Sequence, residues 1–120
     1  MLSVLSVFFL LSSATAQQRD EGERAFQKCF SCHSVDPKEK GLSGPTLAGV
    51  VGRRAASLPG FAYSPAMKKA AADGLVWDEK TLDRYLEDPL EVIPETTMGF
   101  PGLRNAAERR AVIAYLKRFR

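Results

Sequence analysis

The chain is poor in the residues that build metal cages and cross-linked scaffolds: 120 residues contain one histidine and two cysteines. Three N/S ligands fall short of the four that a structural zinc site needs. Two cysteines allow a single disulfide at most, so no disulfide framework holds the fold. Beyond residue 16 no apolar run reaches membrane length, which argues against a spanning helix in the body of the chain and for a soluble mature protein. Excess charge is scarce too. Lys plus Arg number 17 against 14 Asp plus Glu, a net charge of +3, and the basic residues are dispersed, so there is no electrostatic footprint for nucleic acid. An alternating strand and helix pattern is also missing, and with it the frame of a thioredoxin-type protein.

What is present is concentrated. Cys29-Phe30-Ser31-Cys32-His33 forms a C-x-x-C-H run that holds both cysteines and the only histidine. That run is the attachment signal for c-type haem. In a helical turn the two thiols can form thioethers with the two vinyl groups on one porphyrin edge, and the next residue brings its imidazole toward the iron. Neutral imidazole is the ligand, its other ring nitrogen oriented by a backbone carbonyl or another acceptor. A disulfide leaves the adjacent His33 unexplained, and the zinc and thioredoxin readings fail on ligand number and fold pattern.

Met1 to Ala16 carries no charged side chain, has the apolar run Val7-Phe8-Phe9-Leu10-Leu11 and ends in Ala14-Thr15-Ala16, an A-x-A site. This reads as a secretory signal cleaved before Gln17, leaving residues 17–120 as one small domain. Its n-region has only the α-amino group, and an uncleaved anchor is the alternative. A mature chain of about 100 residues is near the size at which a core alone gives modest stability. Folding and haem attachment are therefore expected to be coupled, with a weakly structured apo form.

The local signals predict an all-α chain of helices and loops. Asp20 and Glu23 resemble a capping box for a helix through Phe26. Ser34 to Ser57, rich in Gly, Pro and Lys, reads as a loop long enough to need something to wrap. Ser64-Pro65 opens a short helix through Ala72, closed by Gly74. Asp78 caps a helix with Leu82, Tyr85 and Leu86 at helical spacing, which must stop by Pro89. Pro89 to Gly102 reads as a second loop. Asn105 and Glu108 open the last helix, with Val112, Tyr115, Leu116 and Phe119 at i, i+3, i+4 and i+7. No strand is expected.

With one histidine spent, the second iron ligand must be Met67, Met98, a lysine or water. Met67 sits inside a short helix and reads as a packing residue. Met98 lies in the proline-stiffened segment Ile93-Pro94-Glu95-Thr96-Thr97-Met98-Gly99-Phe100, where Gly99 is expected to remove bulk beside the sulfur. A soft thioether suits an iron that stays low-spin in both redox states, so Met98 is the stronger candidate.

Several separated segments add to the haem run: Gly44-Pro45-Thr46-Leu47, Gly52-Arg53, Gly60-Phe61-Ala62-Tyr63, Trp77, Tyr85-Leu86-Glu87-Asp88-Pro89, the Ile93 to Phe100 segment, and Ile113-Ala114-Tyr115-Leu116-Lys117. In this order and spacing the chain, from Asp20 to Arg120, resembles class I c-type cytochromes of the mitochondrial cytochrome c and bacterial cytochrome c2 type. The resemblance implies the small cytochrome c fold, with terminal helices crossing through Gly22, Phe26, Val112 and Tyr115 around one covalent haem. It also implies that the Pro45 carbonyl orients the His33 imidazole, that Arg53 and Tyr63 lie near a propionate, and that Trp77 hydrogen-bonds one. Tyr85 would sit beside the axial sulfur of Met98, with Thr96 in the ligand loop.

The departures from that family are informative. Met67 stands where an asparagine is common in the hydrogen-bonded network beside the haem, so that side should be drier and the potential shifted. Of the family's lysine collar, Lys28 and Arg104 match, but Leu42, Leu90, Glu91 and Thr97 replace lysines and Glu95 adds an acid. Docking is expected to rely on short-range apolar contact, through Phe30, Val50 and Pro101.

The resemblance implies a one-electron carrier, not an enzyme. Its donor would be a quinol-oxidising cytochrome bc1 complex, and its acceptor a terminal oxidase, a peroxidase or a photosynthetic reaction centre. A monomer in the periplasm, with no nucleic acid partner and no stable membrane insertion, fits both the leader and the composition. Two rivals remain: a haem protein with a labile sixth ligand that reacts with gas or peroxide, and a periplasmic dithiol oxidoreductase.

Overall fold

Helices separated by long loops make up the computed structural model, which describes residues 16, 17, 19 and 21–120. The expected signal segment, apart from Ala16, and the Asp20 of the expected capping box lie outside the described residues. The first helix, α1, covers residues 21–26 and is followed by α2 (Pro65–Ala72), α3 (Glu79–Glu87), α4 (Pro89–Val92) and α5 (Ala106–Leu116). Among the described residues there is no strand, only an isolated antiparallel bridge between Arg54 and Val76.

The helices α2, α3 and α5 begin where the sequence supplies a partner for the orphan N–H groups of the first turn. The Ser64 hydroxyl accepts from the Met67 N–H at 3.2 Å, with Pro65 at the first helical position. Asp78 accepts from the Thr81 N–H at 2.8 Å, and Asn105 from the Glu108 N–H at 3.0 Å. One expectation is corrected. The segment from Pro89 is not loop throughout, because its first residues form α4. Pro89 forces Asp88 into an extended conformation and is itself suited to a first helical turn, so the same residue ends α3 and starts α4. A second correction is that α5 ends at Leu116, not at Phe119. Phe119 lies just beyond and packs edge-on against Tyr115, centroids 5.0 Å apart.

The amphipathic stripes meet as their spacing requires. Leu82, Tyr85 and Leu86 of α3 and Val112, Ile113, Tyr115 and Leu116 of α5 are buried in one core with Phe26, Trp77, Ile93 and Leu103. The α1–α5 crossing depends on a glycine. A Cβ at Gly22 would collide with the Ala111 carbonyl oxygen and stand 2.8 Å from the Tyr115 Cβ. Phe26 and Tyr115 close the same crossing with ring centroids 5.4 Å apart. The long loops are tied by backbone bonds rather than by their own packing. Gly52 N–H reaches the Trp77 carbonyl at 2.8 Å, Trp77 N–H the Arg53 carbonyl at 2.8 Å, and Gly49 N–H the Phe119 carbonyl at 2.7 Å.

Arg109 is the one buried charged residue among those described, at 6% exposure. Its Nε donates to Asp83 at 2.7 Å, and its Nη1 donates to the carbonyls of Leu103 and Arg104 at 2.9 and 3.1 Å. Glu87 lies 3.6 Å from Nη2. The guanidinium thus locks α5 to α3 and to the segment that leads into α5. The sequence offers a clue to this: an arginine among the apolar residues of α5, with two carboxylates one helical turn apart on α3.

Two stability changes follow. Gly22→Ala should cost about 1–3 kcal/mol of unfolding free energy, an overpacking penalty, in denaturant titration of the haem-loaded protein. A loss below about 0.5 kcal/mol would mean the helices separate at no cost. Arg109→Met should cost roughly 2 kcal/mol, because the shape is kept while the Leu103 carbonyl and Asp83 lose their donor; an unchanged denaturation midpoint would contradict that role.

Candidate functional site

The end of α1 sets the geometry. Beyond residue 26 the chain keeps turning: Cys29 N–H bonds to the Phe26 carbonyl at 2.8 Å, and both Cys32 and His33 N–H return to the Cys29 carbonyl, at 3.1 and 2.9 Å. This turn carries both thiols and the imidazole on one short stretch. Both thiols are free, and burial pushes the Cys29 thiol up, opposed by the neighbouring Lys28 cation.

His33 is oriented by the backbone across the loop. Its Nδ1 lies 2.8 Å from the Pro45 carbonyl oxygen. A carbonyl can only accept, so Nδ1 bears the hydrogen and Nε2 keeps its lone pair. Burial pushes the imidazole below its ordinary pKa, more than the Pro45 bond raises it, and the Arg53 cation adds to the lowering. The ring is therefore held neutral, in the tautomer able to bind a metal. The loop approaches this ring so closely that Gly44 has no room for a side chain: a Cβ there would strike the imidazole, 2.6 Å from Nδ1 and 2.8 Å from Nε2. A Cβ on Gly99, which lines the cavity described below, would meet no protein atom within 4 Å, so of the two it is Gly44 that the protein itself crowds. A glycine before the proline, in a chain with one histidine, was the available signal.

The remaining expected residues converge on the same space. Cys29, Cys32, His33, Pro45, Arg53, Tyr63, Trp77, Tyr85, Thr96 and Met98 all line one cavity of about 370 Å³, with Met67 also in its wall. Its size falls within the usual range for small-molecule and cofactor pockets. Leu47, Val50, Phe61, Leu82, Leu86, Phe100 and Leu116 complete a lining that is mostly apolar. Sequence reading did not assign these aliphatic residues to the site, because their spacing is also that of an ordinary core. Val50 requires a correction: at 4% exposure it lines the cavity and is no surface contact.

The polar members are individually placed. Arg53 donates to the Ala48 and Thr46 carbonyls at 3.1 and 3.2 Å. It has no carboxylate partner among the described residues, so its charge is left for an anion in the cavity. The Tyr63 hydroxyl accepts from the Leu58 N–H at 3.2 Å, which leaves its own hydrogen available. Tyr85 and Thr96 hydroxyls share a hydrogen bond of 2.8 Å, and Thr96 Oγ1 also accepts from the Met98 N–H at 3.3 Å. Burial pushes the Tyr85 phenol above its ordinary pKa, opposed by the Thr96 bond, so the phenol stays neutral. Trp77 packs on Tyr85 with centroids 4.9 Å apart. Two thiols, a neutral imidazole, an unpaired guanidinium and an apolar lining are the donor set a covalently held, dianionic macrocycle requires, and the residues fit that group.

Comparison with known proteins agrees with this geometry. Residues 20–119 match the family model described as Cytochrome c. The chain is 51% identical over 96 residues to cytochrome c2 of Rhodomicrobium vannielii, which spans 80% of this chain and 74% of that protein. It is 53% identical over 93 residues to cytochrome c2 iso-2 of Magnetospirillum fulvum, covering 78% of this chain and 93% of the relative. The solved structure of cytochrome c2 from Rhodospirillum centenum superposes with a TM-score of 0.78 at 37% identity, over 84% of this chain and 97% of the other. The chain therefore belongs to the cytochrome c family, as a class I c-type cytochrome of the cytochrome c2 type, an all-α haem-based electron carrier with one covalently attached c-type haem.

Proposed function

We propose that this cytochrome is a soluble periplasmic one-electron shuttle in which Cys29 and Cys32 form the thioethers and His33 and Met98 are the axial ligands. The observation that carries the reading is the convergence of a tautomer-fixed His33 and Met98 on one apolar cavity that also holds both cysteines. When bound, the haem supplies a one-electron ferric/ferrous couple.

The protein's part is to hold that couple still and dry. The Pro45 carbonyl keeps the His33 ring in one orientation and raises its basicity as a ligand. Thr96 fixes the Met98 backbone, and Tyr85 fixes Thr96, so the thioether sulfur is carried on a braced loop. Arg53, Tyr63 and Trp77 are the donors offered to the propionates. The aliphatic lining excludes water, which lowers reorganisation on a change of charge and, with the thioether, favours the reduced state.

The leader of residues 1–16 supports export to the periplasm, and the likeness to cytochromes c2 supports a cytochrome bc1 complex as donor. An oxidase, a peroxidase or a photosynthetic reaction centre is the acceptor class. No helix among the described residues is long and apolar enough to cross a membrane, in keeping with a mobile carrier.

Absorption spectra of the purified holoprotein in both redox states, with its intact mass, test this directly. The expected result is haem covalently bound, a low-spin ferrous spectrum and the far-red ferric band of methionine ligation. Met98→Ala should abolish that band and open the site to exogenous ligands; a band that survives the substitution would remove Met98 from the ligand set. Gly44→Ala should push the imidazole off the Pro45 carbonyl, destabilise the holoprotein by about 1–3 kcal/mol and shift its potential. An unchanged potential together with unchanged stability would show that the loop yields freely.

A further inference from the structure

Electrons can pass between this protein and another only where the cavity reaches the surface, so the residues around that opening decide which partner fits. The exposed residues that line the cavity mark the opening: Lys28, Ser31, Cys32, Ser43, Ala62, Thr97 and Gly99. The only charge in that set is the Lys28 ammonium, and it is bound to Glu108 at 2.6 Å. None of the exposed lining residues therefore carries an unpaired charge; Arg104, the other collar match, is exposed but does not line the cavity. In the neighbouring loop Asp36 and Glu39 offset Lys38 and Lys40.

Beside this opening, between Cys29 and Ser31, Phe30 is 65% exposed, the most exposed large hydrophobic residue among those described. It is not loose. Its N–H bonds to the Phe26 carbonyl at 3.1 Å, and the residue sits in the turn that carries the haem motif. Phe30 also walls a groove of about 430 Å³ with Phe26, Val35 and Tyr115, completed by Gln27, Ser34 and the oppositely charged Glu23 and Arg24. An exposed aromatic on a hydrogen-bonded turn, beside a groove with apolar walls and a polar remainder, has the anatomy of a binding hot spot with its rim, and it is continuous with the opening through which electron transfer must work.

We propose that the redox partner of this protein docks on the cavity mouth through a patch of small, uncharged side chains, with Phe30 as the anchoring apolar side chain and no attraction between net charges steering the encounter. This rests on the reading of the chain as a carrier between membrane complexes, and it departs from recognition by a ring of cations. Charge complementarity argues for the occupant: a strongly acidic partner face would lose its hydration here and find only an ammonium already neutralised by Glu108.

The test measures reduction of the ferric holoprotein by a purified bacterial cytochrome bc1 complex and quinol, as a second-order rate constant between low and moderate salt. The expected change across that range is less than about threefold, since steering by net charge is what salt screens. Phe30→Ala should lower the rate constant about tenfold, as loss of an anchoring aromatic does, with spectrum and potential unchanged, and Phe30→Leu should recover most of it. A steep fall of the rate with salt, or an undiminished rate in Phe30→Ala, would overturn the proposal. Concentration-dependent dimerisation of the parent that Phe30→Ala abolishes would give the face to a second copy and overturn it equally. A low-spin holoprotein that the complex fails to reduce at any salt would instead sink the carrier reading itself, and the docking proposal with it.

Discussion

The orientation of one imidazole governs the rest of the site. The chain has a single histidine, so in the proposed ligation the ring nitrogen left free for the iron must be selected without redundancy. The 2.8 Å bond from Nδ1 to the Pro45 carbonyl makes that selection. To bring that carbonyl into place the loop must pass against the ring itself, which is why position 44 tolerates no side chain. The loop is then fixed from both ends: Gly44 N–H to the Cys32 carbonyl at 2.8 Å, Leu47 N–H to the Ser34 carbonyl at 2.7 Å, and Gly49 N–H to the Phe119 carbonyl at 2.7 Å. A long segment without helix or strand is costly in conformational entropy, and here most of its order comes from bonds that also position the ligand.

On the other side of the cavity the same logic uses side chains. Tyr85 is held by α3 and packed on Trp77, and through Thr96 it braces the loop that carries Met98. The rigid helix thus positions Met98, the proposed second ligand, which lies on a loop. Met67 in the wall means that this side of the cavity holds a second thioether where an amide would have brought hydrogen bonds and water.

Much of this was legible in the sequence because the chemistry is carried by residue types with few alternative uses. A C-x-x-C-H run with the only histidine, and capping residues at Ser64, Asp78 and Asn105, each point to one local structure, and all were found in place. What was not legible depended on approach distances. Gly99 and Gly44 look alike in a sequence, and only the built backbone distinguishes a glycine that lines the cavity from one pressed on an imidazole. Val50 reads as a surface hydrophobe in a loop but is turned inward, because a loop wrapped around a cavity has an inside that periodicity does not reveal. The helical start at Pro89 was obscured because a proline that ends one helix can begin the next. The Arg109 network was hidden because a buried cation reads as a solvated one until its partners on another helix are known.

The charges divide into two groups by what they are attached to. Arg109 with Asp83 and Glu87, and Lys117 with Glu79, join α5 to α3, and none of these residues lines the cavity. The ion pair that does reach the cavity mouth, Lys28 with Glu108, joins the haem-motif turn to α5 and in doing so removes the mouth's one charge. Structural ion pairing and surface recognition are therefore coupled at one residue. A Lys28 free of Glu108 would present a cation beside the opening but untie the turn from α5, whereas a paired Lys28 strengthens the terminal-helix crossing and leaves recognition to shape and apolar contact. With Leu90 also exposed, at 61%, the surface is consistent with the second solution. The ion pairs that join α5 to α3 lie away from the cavity, and the proposed docking makes use of Phe30 rather than of charge.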